Sequence, residues 1–93
     1  MIRWLPKAQE NLAAELTRIA ADDEAAAKRI ALVVKSHTEQ LEQFPESGRP
    51  GRIHGTRELV ISGLPYILPY RIRGKNVEIL RFFHTSQKPP SRW

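Results

Sequence analysis

The stretch TRELVISGLPYILPYRIRGKNVEILRFFH, residues 56–84, decides the fold. It holds three runs rich in branched and aromatic residues, 56–61, 66–73 and 77–84. They are separated by Ser62-Gly63-Leu64-Pro65 and by Gly74-Lys75-Asn76. Short β-type runs broken by such segments predict an antiparallel meander. With Ile61 opposite Tyr66, Leu59 pairs with Leu68 and Glu58 with Pro69. With Arg73 opposite Val77, Tyr70 pairs with Leu80, Pro69 with Arg81 and Leu68 with Phe82. Alternation then puts Leu59, Ile61, Leu68, Tyr70, Ile72, Leu80 and Phe82 on one apolar face. The opposite face carries Glu58, Arg71, Arg73 and Arg81 among Val60, Ile67, Pro69, Ile79 and Phe83. Arg57 and His84 fall near strand tips on the apolar side. A one-residue slip in either turn exchanges the faces of that strand. Pro69 marks a candidate bulge, because proline has no N–H to give a ladder.

Upstream the period changes. Leu5, Ala8, Leu12, Leu16 and Ile19 recur at three and four residues, as on one face of a helix. Pro6 suits its first turn. Asp22-Asp23-Glu24 interrupts, and either aspartate can cap a second helix from about 24 to 44. That helix carries Ile30, Val33, Val34, His37, Leu41 and Phe44 on its stripe and ends before Pro45. So short a break predicts an antiparallel hairpin. The expected fold is α+β: an N-terminal helical hairpin (1–44), a basic loop (45–55), a three- to four-stranded antiparallel sheet (56–84) and a tail (85–93). At 93 residues it makes a single domain.

The chain carries 15 basic and 10 acidic side chains, net +5. Residues 1–44 hold six basic and seven acidic groups, and residues 45–93 nine basic and three acidic. Seven of those nine cations are arginines, which favour bidentate phosphate or carboxylate contacts over mere solubility. A polyanionic partner is expected. The absence of cysteine excludes disulfide frameworks, thiolate zinc sites and cysteine nucleophiles. No apolar stretch is long enough to span a bilayer, so a cytoplasmic domain without membrane contact is expected.

His37, His54 and His84 are far apart and lack carboxylates at ligand spacing, so no metal and no cofactor is expected. His37 reads as a core or interface histidine, and His54 as solvated. The glycines of residues 47–55 do not match a phosphate loop, and there is no Gly-x-Ser-x-Gly. What remains is Arg71, Arg73 and Arg81 sharing a face with Glu58, with Arg49, Arg52 and Arg57 at its margin and His84 at a strand end. RNA cleavage without a metal needs a base for the 2′-OH, cations for the phosphorane and an acid for the leaving oxygen. Glu58 as base, the arginines as cations and His84 as acid or base meet that list. Glu58 neutralising a cross-strand arginine is the simpler alternative.

Several segments, taken in order, resemble the RelE/ParE superfamily of toxins from type II toxin–antitoxin modules. They are Leu12-Ala13-Ala14-Glu15-Leu16-Thr17-Arg18-Ile19, Ala26-Ala27-Lys28-Arg29-Ile30, Leu41-Glu42-Gln43-Phe44-Pro45, Gly48-Arg49-Pro50-Gly51-Arg52 and Gly55-Thr56-Arg57-Glu58-Leu59-Val60. Pro65-Tyr66-Ile67, Tyr70-Arg71, Val77-Glu78-Ile79-Leu80-Arg81 and His84 complete the series. The resemblance implies a growth-inhibiting toxin masked by an antitoxin in a hetero-oligomer. It implies one of two targets: mRNA in the ribosome, cleaved by RelE-like members, or DNA gyrase, blocked by ParE-like members. Arg57, Arg71, Arg81, His84 and Glu58 are the catalytic candidates of the first reading, which is the one expected. Arg49, Arg52, Arg73 and Lys88 are the nucleic-acid-binding candidates. A plain nucleic-acid-binding module is a third reading. The tail Gln87-Lys88-Pro89-Pro90 departs from the arginine and Trp-Pro ending frequent in relatives.

Overall fold

The computed structural model describes residues 1–87. The expectations for Lys88 and for residues 89–93 of the tail lie outside them. The chain begins with strand β1 (Ile2–Trp4), followed by helices α1 (Pro6–Asp22) and α2 (Glu24–Gln43). Strands β2 (Arg49–Pro50), β3 (Arg57–Val60), β4 (Tyr66–Arg73), β5 (Asn76–Ile79) and β6 (Phe83–His84) follow. The sheet order is β1-β5-β4-β3-β2, with β6 also on β4.

The α+β architecture is as expected, with two corrections. The sheet has more strands than expected, and it is mixed: β1 pairs in parallel with β5, Ile2 opposite Val77 and Trp4 opposite Ile79. Three residues are too short to show a period, so the sequence assigned them to the hairpin. Within the expected basic loop, Arg49 and Pro50 pair with Glu58 and Arg57 as a further edge strand.

The helices form where their caps allow. Pro6 occupies the first turn of α1, where its missing N–H has no helical partner to lose. Asp23 caps α2 by accepting from the Ala26 N–H at 3.0 Å. Ala8 of α1 and Val34 and Leu41 of α2 are buried with Leu59, Ile61, Leu68, Tyr70, Val77 and Ile79 of the sheet. Fully burying each large apolar side chain contributes about 1.5–3 kcal/mol relative to leaving it exposed. Phe44, expected on the buried stripe, lies just past the end of α2 and is exposed.

The register of the first β-hairpin is the expected one, Leu59 with Leu68 and Glu58 with Pro69. The second differs. Arg73 pairs with Asn76, not with Val77, so Gly74-Lys75 alone makes the turn. Gly74 has φ +58°, which a two-residue hairpin needs at its first central position. The shift exchanges the faces of β5. Ile79 joins Tyr70 in the core, and Glu78 stands opposite Arg71 on the outer face. The expected register returns at β6, where Ile67 faces Phe83 and Tyr66 faces His84. One extra residue is therefore absorbed between Leu80 and Phe83, a bulge.

Pro69 explains the bulge. The Leu80 N–H donates to the Pro69 carbonyl at 2.8 Å, but Pro69 has no N–H to return to Leu80. The Leu80 carbonyl accepts instead from the Arg81 guanidinium at 2.7 Å. Arg81 thus leaves the outer arginine face on which it was expected. It turns toward α1, while Phe82 stacks on Tyr66 with ring centroids 4.6 Å apart.

Candidate functional site

The outer face of the sheet carries two arginine–glutamate clusters. In the first, Glu58 is buried and accepts from Arg49 Nη2 at 3.0 Å, from Arg49 Nε at 3.2 Å and from the Arg52 N–H at 3.3 Å. The Arg52 guanidinium also lies 3.8 Å from it. In the second, Arg71 Nε donates to Glu78 at 2.7 Å, with Arg73 at 4.0 Å. The Arg71 bond, assisted by the charges of Arg71, Arg73 and Arg3, holds the Glu78 carboxyl below its usual range against the opposing effect of desolvation. Both carboxylates on this face are therefore engaged by cations. The face keeps a cationic surplus, because five arginines share two carboxylates.

The other catalytic candidates are elsewhere. Arg57 Nη1 donates to the carbonyls of Gly48 (2.9 Å) and Glu46 (3.1 Å), pinning the loop before β2. Tyr70 completes that clamp by donating to the Pro45 carbonyl and accepting the Gly48 N–H, both at 2.8 Å. Burial pushes the Tyr70 phenol up. His84 lies at the opposite end of β4, edge-on to the Tyr66 ring with centroids 5.5 Å apart. Its Nδ1 accepts the Ser86 N–H at 3.0 Å, and the Ser86 hydroxyl lies 2.7 Å away. The expected cluster is thus divided. Glu58, Arg71 and Arg73 share the outer face, whereas Arg81 and His84 line a cleft beside α1.

His37 is half-buried, with Nδ1 2.9 Å from the Val33 carbonyl and Nε2 accepting the Ser62 N–H at 3.3 Å. It ties α2 to the turn after β3, an interface role as expected. His54 is exposed. Among the described residues no group of three or more His, Asp or Glu side chains is placed to hold a metal ion. No helix among them is long and apolar enough to cross a membrane.

The α1 cleft also contains residues that the sequence reading did not single out. Glu15 is bound by Arg18 through two hydrogen bonds, at 2.8 and 2.9 Å, and by the Tyr66 hydroxyl at 2.6 Å. The Arg18 bonds are the main reason the Glu15 carboxyl falls to about 2, with Tyr66 assisting against burial. Burial, then the bond to Glu15, pushes the Tyr66 phenol up to about 12. The three-residue spacing of Glu15 and Arg18 was a visible signal for their ion pair. Nothing local signals Tyr66, which is 51 residues away.

Three comparisons bear on this geometry. Residues 2–89 match the family model described as the ParE toxin of the parDE type II toxin–antitoxin system. A relative from Sinorhizobium fredii named "Putative toxin Y4kP" is 44% identical over 89 residues, 96% of this chain and 92% of that protein. A solved structure titled "Chromosomal ParDE TA system from P. aeruginosa" superposes with a TM-score of 0.83 at 25% identity, over 91% of this chain and 95% of the other. With helices, mixed sheet and family match in agreement over nearly the whole chain, the protein belongs to the ParE family of type II toxins, within the RelE/ParE superfamily.

Proposed function

We propose that this toxin arrests growth by binding and inhibiting DNA gyrase, and that it does not cut RNA. One observation carries the reading: each carboxylate on the arginine face is engaged by cations, Glu58 by the guanidinium groups of Arg49 and Arg52 and Glu78 by that of Arg71. A general base must be within reach of the proton it removes. A carboxylate already held by guanidinium groups is a poor one, and His84 belongs to a different face. The cationic surplus of the outer face suits an acidic protein surface, both on the target and on a neutralising antitoxin. The family match supports the same direction.

The test is expression without an antitoxin, followed by mapping of transcript 5′ ends and assay of the DNA-damage response. The reading expects intact messages and a strong damage response. New 5′ ends within translated messages, with no damage response, would restore the ribonuclease reading.

A further inference from the structure

The outer face of the sheet is not uniform. Its β2–β3 side combines charge with an exposed apolar side chain, Val60, two residues along β3 from Glu58, and so suits a protein partner. The corner made by β1, β5 and the end of β4 is different. In register, Arg3 stands beside Glu78 and Glu78 beside Arg71, so the three side chains form one row across three strands. Arg73 follows Arg71 on the same face of β4, opposite Asn76. Within these strands, the side chains turned outward around Glu78 are Arg3, Arg71, Arg73 and Asn76, none of them apolar.

Glu78 is buried at the centre of this group. Arg71 reaches it through Nε at 2.7 Å, and the Arg73 guanidinium lies 4.0 Å away. Holding Arg71 at Nε leaves its two Nη groups as donors for another anion. Among the described residues, those Nη groups and the guanidinium groups of Arg3 and Arg73 make no hydrogen bond. The Arg73 side chain is 66% exposed, and Arg3 is exposed as well. Three arginines thus meet one carboxylate, a surplus of two positive charges.

That arrangement recognises an anion. Protein surfaces are held chiefly by apolar and aromatic anchors, which these strands do not offer here. Phosphates need only fixed cations, and a guanidinium fork fits them. We propose that this corner binds the phosphate backbone of duplex DNA, so that the toxin touches the DNA that gyrase holds as well as the enzyme. The choice of DNA over RNA rests on the gyrase reading; the anion site itself does not.

The test uses the purified full chain and a short labelled DNA duplex, without gyrase, followed by fluorescence anisotropy between about 50 and 200 mM salt. Saturable binding is expected, with a log–log salt slope of about −2 to −3. Arg73→Gln should weaken binding about fivefold and flatten the slope by about one. Lys28→Gln removes the same charge from α2, on the other side of the sheet, and should change affinity by less than about twofold. Glu78→Gln releases Arg71 and should tighten binding about fivefold. The Arg73 side chain makes no hydrogen bond, so its loss leaves the fold intact, and circular dichroism checks this. No binding, or equal losses from Arg73→Gln and Lys28→Gln, would overturn the proposal. Tighter binding of single-stranded RNA, or displacement of the duplex by polyglutamate of equal charge, would assign the corner to another partner and overturn it too. Blocked supercoiling without duplex binding would leave the gyrase reading standing and remove this one.

Discussion

The Tyr66 hydroxyl donates to the Glu15 carboxylate at 2.6 Å, joining the first residue of β4 to the middle of α1. Arg18 holds the same carboxylate, so the fold stabilises Glu15 as an anion and Tyr66 as a neutral phenol. The folded value of Glu15 is about 2 against an ordinary 4.5, so its contribution is complete above about pH 4.5 and is lost as pH falls toward 2. The folded value of Tyr66 is about 12 against 10, so its contribution is present below pH 10 and is lost as pH rises through 12. Tyr66→Phe should cost about 1 kcal/mol at neutral pH and should flatten the alkaline loss. Urea midpoints measured across pH check both.

Glu58 distinguishes a structural role from a chemical one. It is buried under Arg49 and Arg52, so Glu58→Ala should destabilise the fold by about 1–2 kcal/mol, the arginines being free to turn toward water. Growth arrest should then decline only with the folded fraction and recover at lower temperature. Thermal melts beside growth curves of the same variant measure this. Complete loss of toxicity at unchanged melting temperature would make Glu58 part of the chemistry.

Gly48 lies against Tyr70. A Cβ there would meet Tyr70 Oη at 2.5 Å, Tyr70 Cε1 at 2.6 Å and the Glu58 carbonyl at 2.9 Å. Tyr70 is fully buried and held by two hydrogen bonds, so it cannot yield cheaply. Gly48→Ala should cost about 2–3 kcal/mol through overpacking. Denaturant midpoints should show the loss, while Gly55→Ala, with nothing near its Cβ but φ +82°, should cost about 1 kcal/mol from backbone strain alone.

The two helices, their break at Asp23 and the first β-hairpin were legible because each rests on local signals: a 3.6-residue period, a cap, and alternation closed by a turn. The face of β5 was not legible. It depends on whether Gly74-Lys75 or Gly74-Lys75-Asn76 makes the turn, and composition permits both. That one residue moved Glu78 beside Arg71 and so neutralised a position that the sequence reading left to bare arginines. Pro69 was read as a bulge signal, but the residue it displaces, Arg81, was still placed on the outer face. The bulge's effect on side-chain direction becomes clear only when the orphaned Leu80 carbonyl is followed to its new donor. Tyr66 with Glu15, and Asn11 with Phe82, are contacts between distant segments with no local signature.

The central claim is that toxicity comes from holding gyrase and not from cutting RNA. The most direct measurement is a DNA supercoiling assay with purified gyrase and the purified chain, with a ribosome-bound message incubated in parallel. The account predicts that supercoiling stops as toxin approaches gyrase concentration while the message stays whole. Unimpeded supercoiling beside a cleaved message would contradict it.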